Sequence, residues 1–251
     1  IDDITMLNAA LTVVDQNPLG SAAGYGSSFP INRTFTTQEL QFETLKFNAV
    51  AAQMSRGKAE KTVAFAMSSV AATLSKFSMD VCLYMSQNFD FISLPSHLTT
   101  GSSIMPHKKN PDVFELIRGK CNKIQALPYE ITLITNNLPS GYHRDLQLLK
   151  EGLFPAIQNL KACLDIAIFA IKDITVKEHI LDDKKYDYLF TVDSLNEMVV
   201  AGMPFRDAYK AVAEQLETGD YKSPKETKHT HEGSINNLCL EEIKEKMKST
   251  Y

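Results

Sequence analysis

Ten residues from Gly101 to Asn110, GSSIMPHKKN, followed by Pro111 and Asp112, concentrate chemistry more densely than any other stretch of this 251-residue chain. They place two hydroxyls, two ammonium groups and an amide on a short loop that leads into a helical pattern. Asn110 suits a helix N-cap, and Pro111 suits the first turn, where its missing N–H costs nothing. Anions are favoured at such a helix start, and Lys108 and Lys109 add full positive charge beside it. The expected chemistry is a carboxylate or phosphate held next to a serine. A flexible basic loop with turn-forming serines has the same composition, because most surface loops do no chemistry. Three details favour the cradle. Met105 and Pro106 are apolar residues inside the polar run, so the loop is expected to fold over something. Gly101 permits close backbone approach, and two adjacent lysines concentrate positive potential at one point.

The elements around this loop read as helices. A helical pattern over 4–14 ends at Asn17-Pro18-Leu19-Gly20, and a Gly/Ser-rich stretch from Gly20 to Ser28 is too broken for regular structure. Thr36-Thr37-Gln38-Glu39 is expected to cap a short helix into Phe47. From about Gly57 to Asn88, Val63, Met67, Val70, Leu74, Phe77, Val81 and Tyr84 alternate steps of four and three, a coiled-coil-like seam. Ala64, Ala66, Ala71 and Ala72 beside it let other helices approach closely. A helix of about 30 residues spans about 45 Å, more than a compact domain of this size needs, so a bundle shared between subunits is expected. A second helix is expected over 111–137, kinked or broken near Leu127 by Pro128. A third pattern runs from about Tyr142 to Lys172, with Pro155 as another kink candidate. Beyond Asp173 the elements shorten to about 176–181, 184–202, 205–218 and 239–248. No sustained period-two alternation occurs, so the fold class is all-α: a long-helix bundle over 1–173 and a small helical domain over 174–251.

Bulk properties exclude several classes. With 44% apolar and 22% charged residues the composition is that of an ordinary globular protein rather than a disordered one. A net charge of −4 argues against nucleic acid as the main partner. No apolar run reaches the roughly 20 residues of a membrane span, and no signal peptide is visible. The absence of an initiator methionine suggests a start partway through a longer gene product. Cys82, Cys121, Cys163 and Cys239 have no paired spacing, and three lie in helical patterns, so buried reduced thiols and a cytoplasmic location are expected. His229-Thr230-His231-Glu232 could suggest a metal site, but no strand pattern places the histidines on one face. A solvated loop without metal is the expectation.

The run GSSIMPHKKNPD resembles the signature loop of the fumarase/aspartase superfamily, whose members cleave C–N or C–O bonds and release fumarate. Two further segments are similar to argininosuccinate lyases in particular: Glu115-Leu116-Ile117-Arg118-Gly119-Lys120 after Pro111-Asp112, and Tyr142-His143-Arg144-Asp145-Leu146-Gln147 with Lys150 beyond it. Asn17-Pro18-Leu19-Gly20-Ser21, Phe29-Pro30-Ile31-Asn32-Arg33 and the segment Pro204 to Tyr209 extend the resemblance over nearly the whole chain. It implies β-elimination of argininosuccinate to arginine and fumarate with no cofactor. A weakly acidic proton must leave the carbon beside a carboxylate, and the charge that accumulates there must meet preorganised cations and donors.

On this resemblance Ser102 matches the general base, with Ser103 the alternative that the residues alone leave open. A serine alkoxide needs strongly positive surroundings, which the lysines and the helix start could supply. Lys108 and Asn110 match positions that meet the developing charge. Glu115 matches the partner of a catalytic histidine from another subunit, although a carboxylate in a first helical turn is also favoured by the dipole alone. Tyr142, Gln147 and Lys150 match substrate-contacting positions, although Gln147 and Lys150 would equally form an i,i+3 pair on a polar face. The resemblance further implies a homotetramer whose sites are shared between subunits. The family's catalytic histidine precedes the position of Ile1, so the chain is expected to be inactive alone. His107, where argininosuccinate lyases commonly carry glutamine, keeps adenylosuccinate lyase as an alternative. A non-catalytic, crystallin-like homologue is a second one.

Overall fold

The computed structural model describes residues 1–250 and is mostly helical, with strand pairing confined to two-residue segments and isolated bridges. It divides into two compact units, Ile1–Thr175 and Val176–Ser249.

The first unit is a bundle built on helix α4 (Lys58–Tyr84), which packs most extensively against α5 (Asp112–Gln125) and also meets α1 (Asp2–Val14), α6 (Leu127–Thr135) and α7 (Leu149–Ile171). Along the expected seam Met67, Leu74 and Val81 are buried, with Val63, Val70 and Phe77 packed against the same core. Phe77 meets Phe114 of α5 edge-on, with ring centroids 6.0 Å apart, a favourable aromatic geometry. Ala64 and Ala71 have no exposed surface, as close helix approach requires. Ser75 Oγ donates to Asn122 Oδ1 at 2.7 Å, a polar pin between α4 and α5. Gly57 starts α4 with φ +79, and a Cβ there would lie 2.5 Å from Thr135 Cγ2. Glycine is therefore required on both conformational and steric grounds. Glu60 reaches back to the Gly57 N–H at 2.7 Å, the returning half of a capping box.

Several expected boundaries move. The short helix near the N-terminus is α2 (Arg33–Glu39), not a helix from Thr36 to Phe47. Asn32 takes the cap, its Oδ1 accepting from the Phe35 N–H at 2.9 Å, and Gln41 leaves the helix with φ +59. A brief helix α3 (Ala49–Met54), capped by Asn48, then precedes α4. The second long helix does break near Leu127: α5 ends at Gln125, and α6 restarts with Pro128 in its first turn, where proline is tolerated. The third begins later than expected, at Leu149, after a 3₁₀ turn over Arg144–Gln147. By length and composition alone, the helical stretch ending at Ile171 is long and apolar enough to cross a membrane. Lys161 and Asp165 sit in its interior, and each would cost about 2.5–3.5 kcal/mol at a bilayer centre. Its exposed Phe154, Ile166, Ile168 and Phe169 therefore fit a partner helix better than lipid.

In the second unit α8 (Thr191–Val200) packs against α9 (Phe205–Thr218) through Leu195, Ala208 and Val212. Residues 176–181 do not form the expected helix. His179 adopts a left-handed conformation and only a 3₁₀ turn, Ile180–Asp182, follows it. The stretch 184–190 is likewise 3₁₀ before α8 begins. Gly219 closes α9 in the left-handed conformation, and α10 (Leu240–Lys248) buries no residue within its unit.

Candidate functional site

The loop 101–109 is closed at its neck by a small antiparallel bridge. Thr100 N–H donates to Asn110 O at 3.1 Å, and Asn110 N–H donates to Thr100 O at 2.8 Å. The Asn110 side chain does not cap α5, as its sequence position suggests. Its Nδ2 lies 3.3 Å from Thr100 O and 3.4 Å from Gly101 O, so the amide fastens the neck instead. Pro111 occupies the cap position and makes no side-chain capping bond. Thr100 Oγ1 donates to a carboxylate oxygen of Asp112, the first residue of α5. Nine residues with joined ends form an Ω-like loop.

Inside the loop, Ser102 Oγ accepts from the Ile104 N–H at 3.2 Å and the Met105 N–H at 3.1 Å. Two backbone donors aimed at one hydroxyl oxygen favour its deprotonated form, because hydrogen bonds to a charged form stabilise that form. Ser103 makes no side-chain hydrogen bond among the described residues. The two serines are chemically distinct here although the sequence does not separate them. Lys108 and Lys109 are exposed and have no carboxylate within ion-pairing distance among the described residues, which leaves both cations available to an anion. Met105, 41% exposed, lines a cleft of about 770 Å³ with His107, Lys108, Asn110, Glu115 and Cys82, whereas Ile104 is 86% exposed. Glu115 sits exposed in the first turn of α5, at the cleft. Burial pushes the Cys82 thiol up, and the Glu115 carboxylate adds to that effect while Arg118 opposes it.

The Tyr142–Lys150 segment lies elsewhere. Gln147 Nε2 donates to Tyr142 Oη at 2.9 Å, so those two side chains are brought together. Leu146 is buried beneath them and its carbonyl accepts from Arg56 Nη2 at 3.1 Å, next to the start of α4. Lys150 is exposed in the first turn of α7. The signature loop lies at the opposite end, where it borders the same cleft as Cys82, Met85 and Ser86. The 27 residues of α4 separate the two groups by about 40 Å at 1.5 Å per residue. One chain therefore holds the residues singled out in the sequence as two separate groups: Ser102, Ser103, Lys108, Asn110 and Glu115 at one end, and Tyr142, Gln147 and Lys150 at the other. In the His229–Glu232 run, His229 Nε2 lies 2.9 Å from Asp193 Oδ1 and its ring stacks on His231. No group of three or more metal-ligating residues occurs among the described residues.

Comparison with known proteins decides the family. A family model described as a lyase matches residues 2–126. The argininosuccinate lyase of Parabacteroides distasonis is 59% identical over 249 residues, which are 99% of this chain and 56% of that protein. The argininosuccinate lyase of Bacteroides fragilis is 56% identical over 250 residues, again across 56% of the relative. The chain belongs to the argininosuccinate lyase family. It spans a little over half the length of these relatives. A crystal structure of EDDS lyase in complex with formate aligns with a TM-score of 0.73 at 22% identity, covering 84% of this chain and 43% of the other. That likeness shows a shared long-helix fold. Within this family frame, the sequence reading overlooked Thr100 and gave Asp112 no role of its own. The available signal was a hydroxyl donor and a carboxylate acceptor bracketing the polar run at its two ends.

Proposed function

We propose that this chain supplies the base and the charge-stabilising loop of an argininosuccinate lyase, which splits argininosuccinate into arginine and fumarate. The observation that carries this reading is Ser102 Oγ receiving two backbone N–H donors beside two unpaired lysines. Ser102 takes the proton from the carbon next to the substrate carboxylate. Lys108 and the free capacity of the Asn110 amide meet the charge that grows on that carboxylate, and Glu115 orients a histidine contributed by another subunit. Ser103, Tyr142, Gln147 and Lys150 contact the remainder of the substrate.

Because one chain holds its two half-sites about 40 Å apart, the complete site draws them from different copies in a homotetramer. Exposed Phe65, Leu116, Leu133, Phe154 and Phe169 on the bundle support such an assembly, since apolar patches of this kind seek partners. We read residues 1–173 as the bundle domain and 174–251 as a small accessory domain of a cytoplasmic enzyme that needs neither metal nor cofactor. The family's catalytic histidine has no counterpart among these residues, so this polypeptide alone is inactive.

His107 favours adenylosuccinate as the second reading, while the relatives named above and the Tyr142–Lys150 segment favour argininosuccinate. Ultraviolet detection of fumarate from each substrate, with the full-length protein and with this polypeptide alone, decides both points. Turnover of argininosuccinate by the full-length protein only is the expected result. Preference for adenylosuccinate overturns the substrate, and robust turnover by this polypeptide alone overturns its inactivity.

A further inference from the structure

We propose that Thr100 and Asp112 form a latch that sets the position of Ser102, which makes Asp112 a positioning residue for proton abstraction. The proposal rests on the lyase reading above. Packing does not hold the loop: from Gly101 to Lys109 no side chain is buried, and all but Ser102 are exposed. Its shape must therefore come from the neck. The Thr100–Asn110 bridge and the Asn110 amide join the two sides of the neck to each other. The Thr100–Asp112 bond does something different, tying the incoming strand to α5 itself. That helix is a rigid reference, because Phe114 and Ile117, just beyond Asp112, are buried at 0% and 3% exposure. The negative charge of Asp112 is also favoured at the N-terminal end of α5. Ser102 stands only two residues from Thr100, so a neck that slips displaces its Oγ relative to the Ile104 and Met105 N–H groups and to the substrate carbon. Misplacement by about 1 Å is enough to cost on the order of 100-fold in rate.

The test uses the full-length protein with Thr100→Val, Thr100→Ser, Asp112→Asn, Asp112→Ala and the double variant Thr100→Val/Asp112→Ala. Thr100→Val, which keeps the shape and removes the donor, and Asp112→Ala are each expected to lower kcat roughly 10- to 100-fold with KM little changed. Their ascending limb in the pH–rate profile, where Ser102 must lose its proton, is expected to move to higher pH, because the alkoxide loses its aligned donors. A purely structural role would lower stability without moving that limb. Thr100→Ser keeps the hydroxyl and is expected to stay near the parent. Asp112→Asn keeps an acceptor oxygen and falls between the parent and Asp112→Ala. The double variant is expected to be no slower than the slower single, since both remove one bond. An unmoved limb, an unchanged kcat, or effects that multiply overturn the latch. Amide hydrogen exchange at Thr100 and Asn110 gives a readout that needs no turnover. Faster exchange in Thr100→Val but not in Thr100→Ser supports the latch, and equal exchange overturns it. If the parent releases no fumarate, the lyase reading fails while the exchange result still decides the latch.

Discussion

At one end of α4 the loop 101–109 buries no side chain and is shaped by the hydrogen bonds of its neck. At the other end the 142–150 segment is fixed by Leu146 and Leu149, which are 6% and 1% exposed, and the Arg56 guanidinium holds its backbone. The two proposed half-sites are thus mounted by opposite means, hydrogen bonds for the loop and packing for the 142–150 segment. Polar bonds on a surface loop fix direction at little net free energy, about 0.5–1.5 kcal/mol each. Buried leucines fix position at several times that.

The largest effect expected from this contrast belongs to Ser102. Ser102→Ala in the full-length protein lowers kcat about 10³- to 10⁴-fold, the upper range of a lost general base. The thermal midpoint stays put, because the hydroxyl supports no core. If the two half-sites belong to different copies, co-assembling Ser102→Ala subunits with Gln147→Ala subunits restores part of the turnover. Each hybrid then contains a site whose loop and whose 142–150 segment are both intact. Near-parental activity of Ser102→Ala alone sinks the base assignment, and a hybrid as slow as its parents sinks the sharing of sites.

Leu146→Ala probes the packed end. Removing this buried side chain is expected to cost about 2–5 kcal/mol, the range for leucine truncations that leave a cavity. Denaturant midpoints report it. Amide exchange at the neck of the signature loop stays as in the parent, since the perturbation sits about 40 Å away. A loss below about 0.5 kcal/mol, the level of an ordinary surface substitution, would remove the distinction between the two mountings.

This asymmetry also governs what the sequence could reveal. The seam Val63–Tyr84 reads directly as a helix because its 3–4 spacing is imposed by one buried face, and Pro128 marks the break because a proline cannot donate in mid-helix. The signature residues are legible as chemistry through their types and order alone. Their hydrogen bonds are not. Asn110 reads as an N-cap, yet α5 begins at Asp112 with Pro111 in the cap position, and the Asn110 amide turns back to the Thr100 and Gly101 carbonyls. Ser102 and Ser103 are equivalent as letters and differ only through the backbone donors that the folded loop brings to one of them. The separation of Glu115 from Lys150 is equally invisible in a spacing of 35 positions, because it depends on α5, α6 and α7 running along the length of α4.

The smallest effect tests whether the two unlike ends share one core. Cys121 of α5 and Cys163 of α7 are both buried, and Cys121 is pushed up from 9.0 to about 12, first by burial and then by the neighbouring Cys163 sulfur. Cys163 is raised as well, again chiefly by burial. Between these values the unfolded chain releases the Cys121 proton while the folded chain keeps it. Stability from this group is therefore complete below about pH 9 and declines as the pH rises, by up to about 1.4 kcal/mol per pH unit. Cys121→Ala starts less stable at neutral pH because of the cavity, yet its stability falls less steeply above about pH 9. Denaturant titrations at a series of alkaline pH values, followed by exchange at Asn110 for the loop end and at Leu146 for the packed end, check the slope. Both ends are expected to loosen together, since α5 carries one half-site, α7 begins at the other, and Cys121 and Cys163 belong to the core between them. A parental slope no steeper than that of Cys121→Ala removes the thiol from the account. Loosening of the loop end alone shows that the two mountings do not rest on a common core.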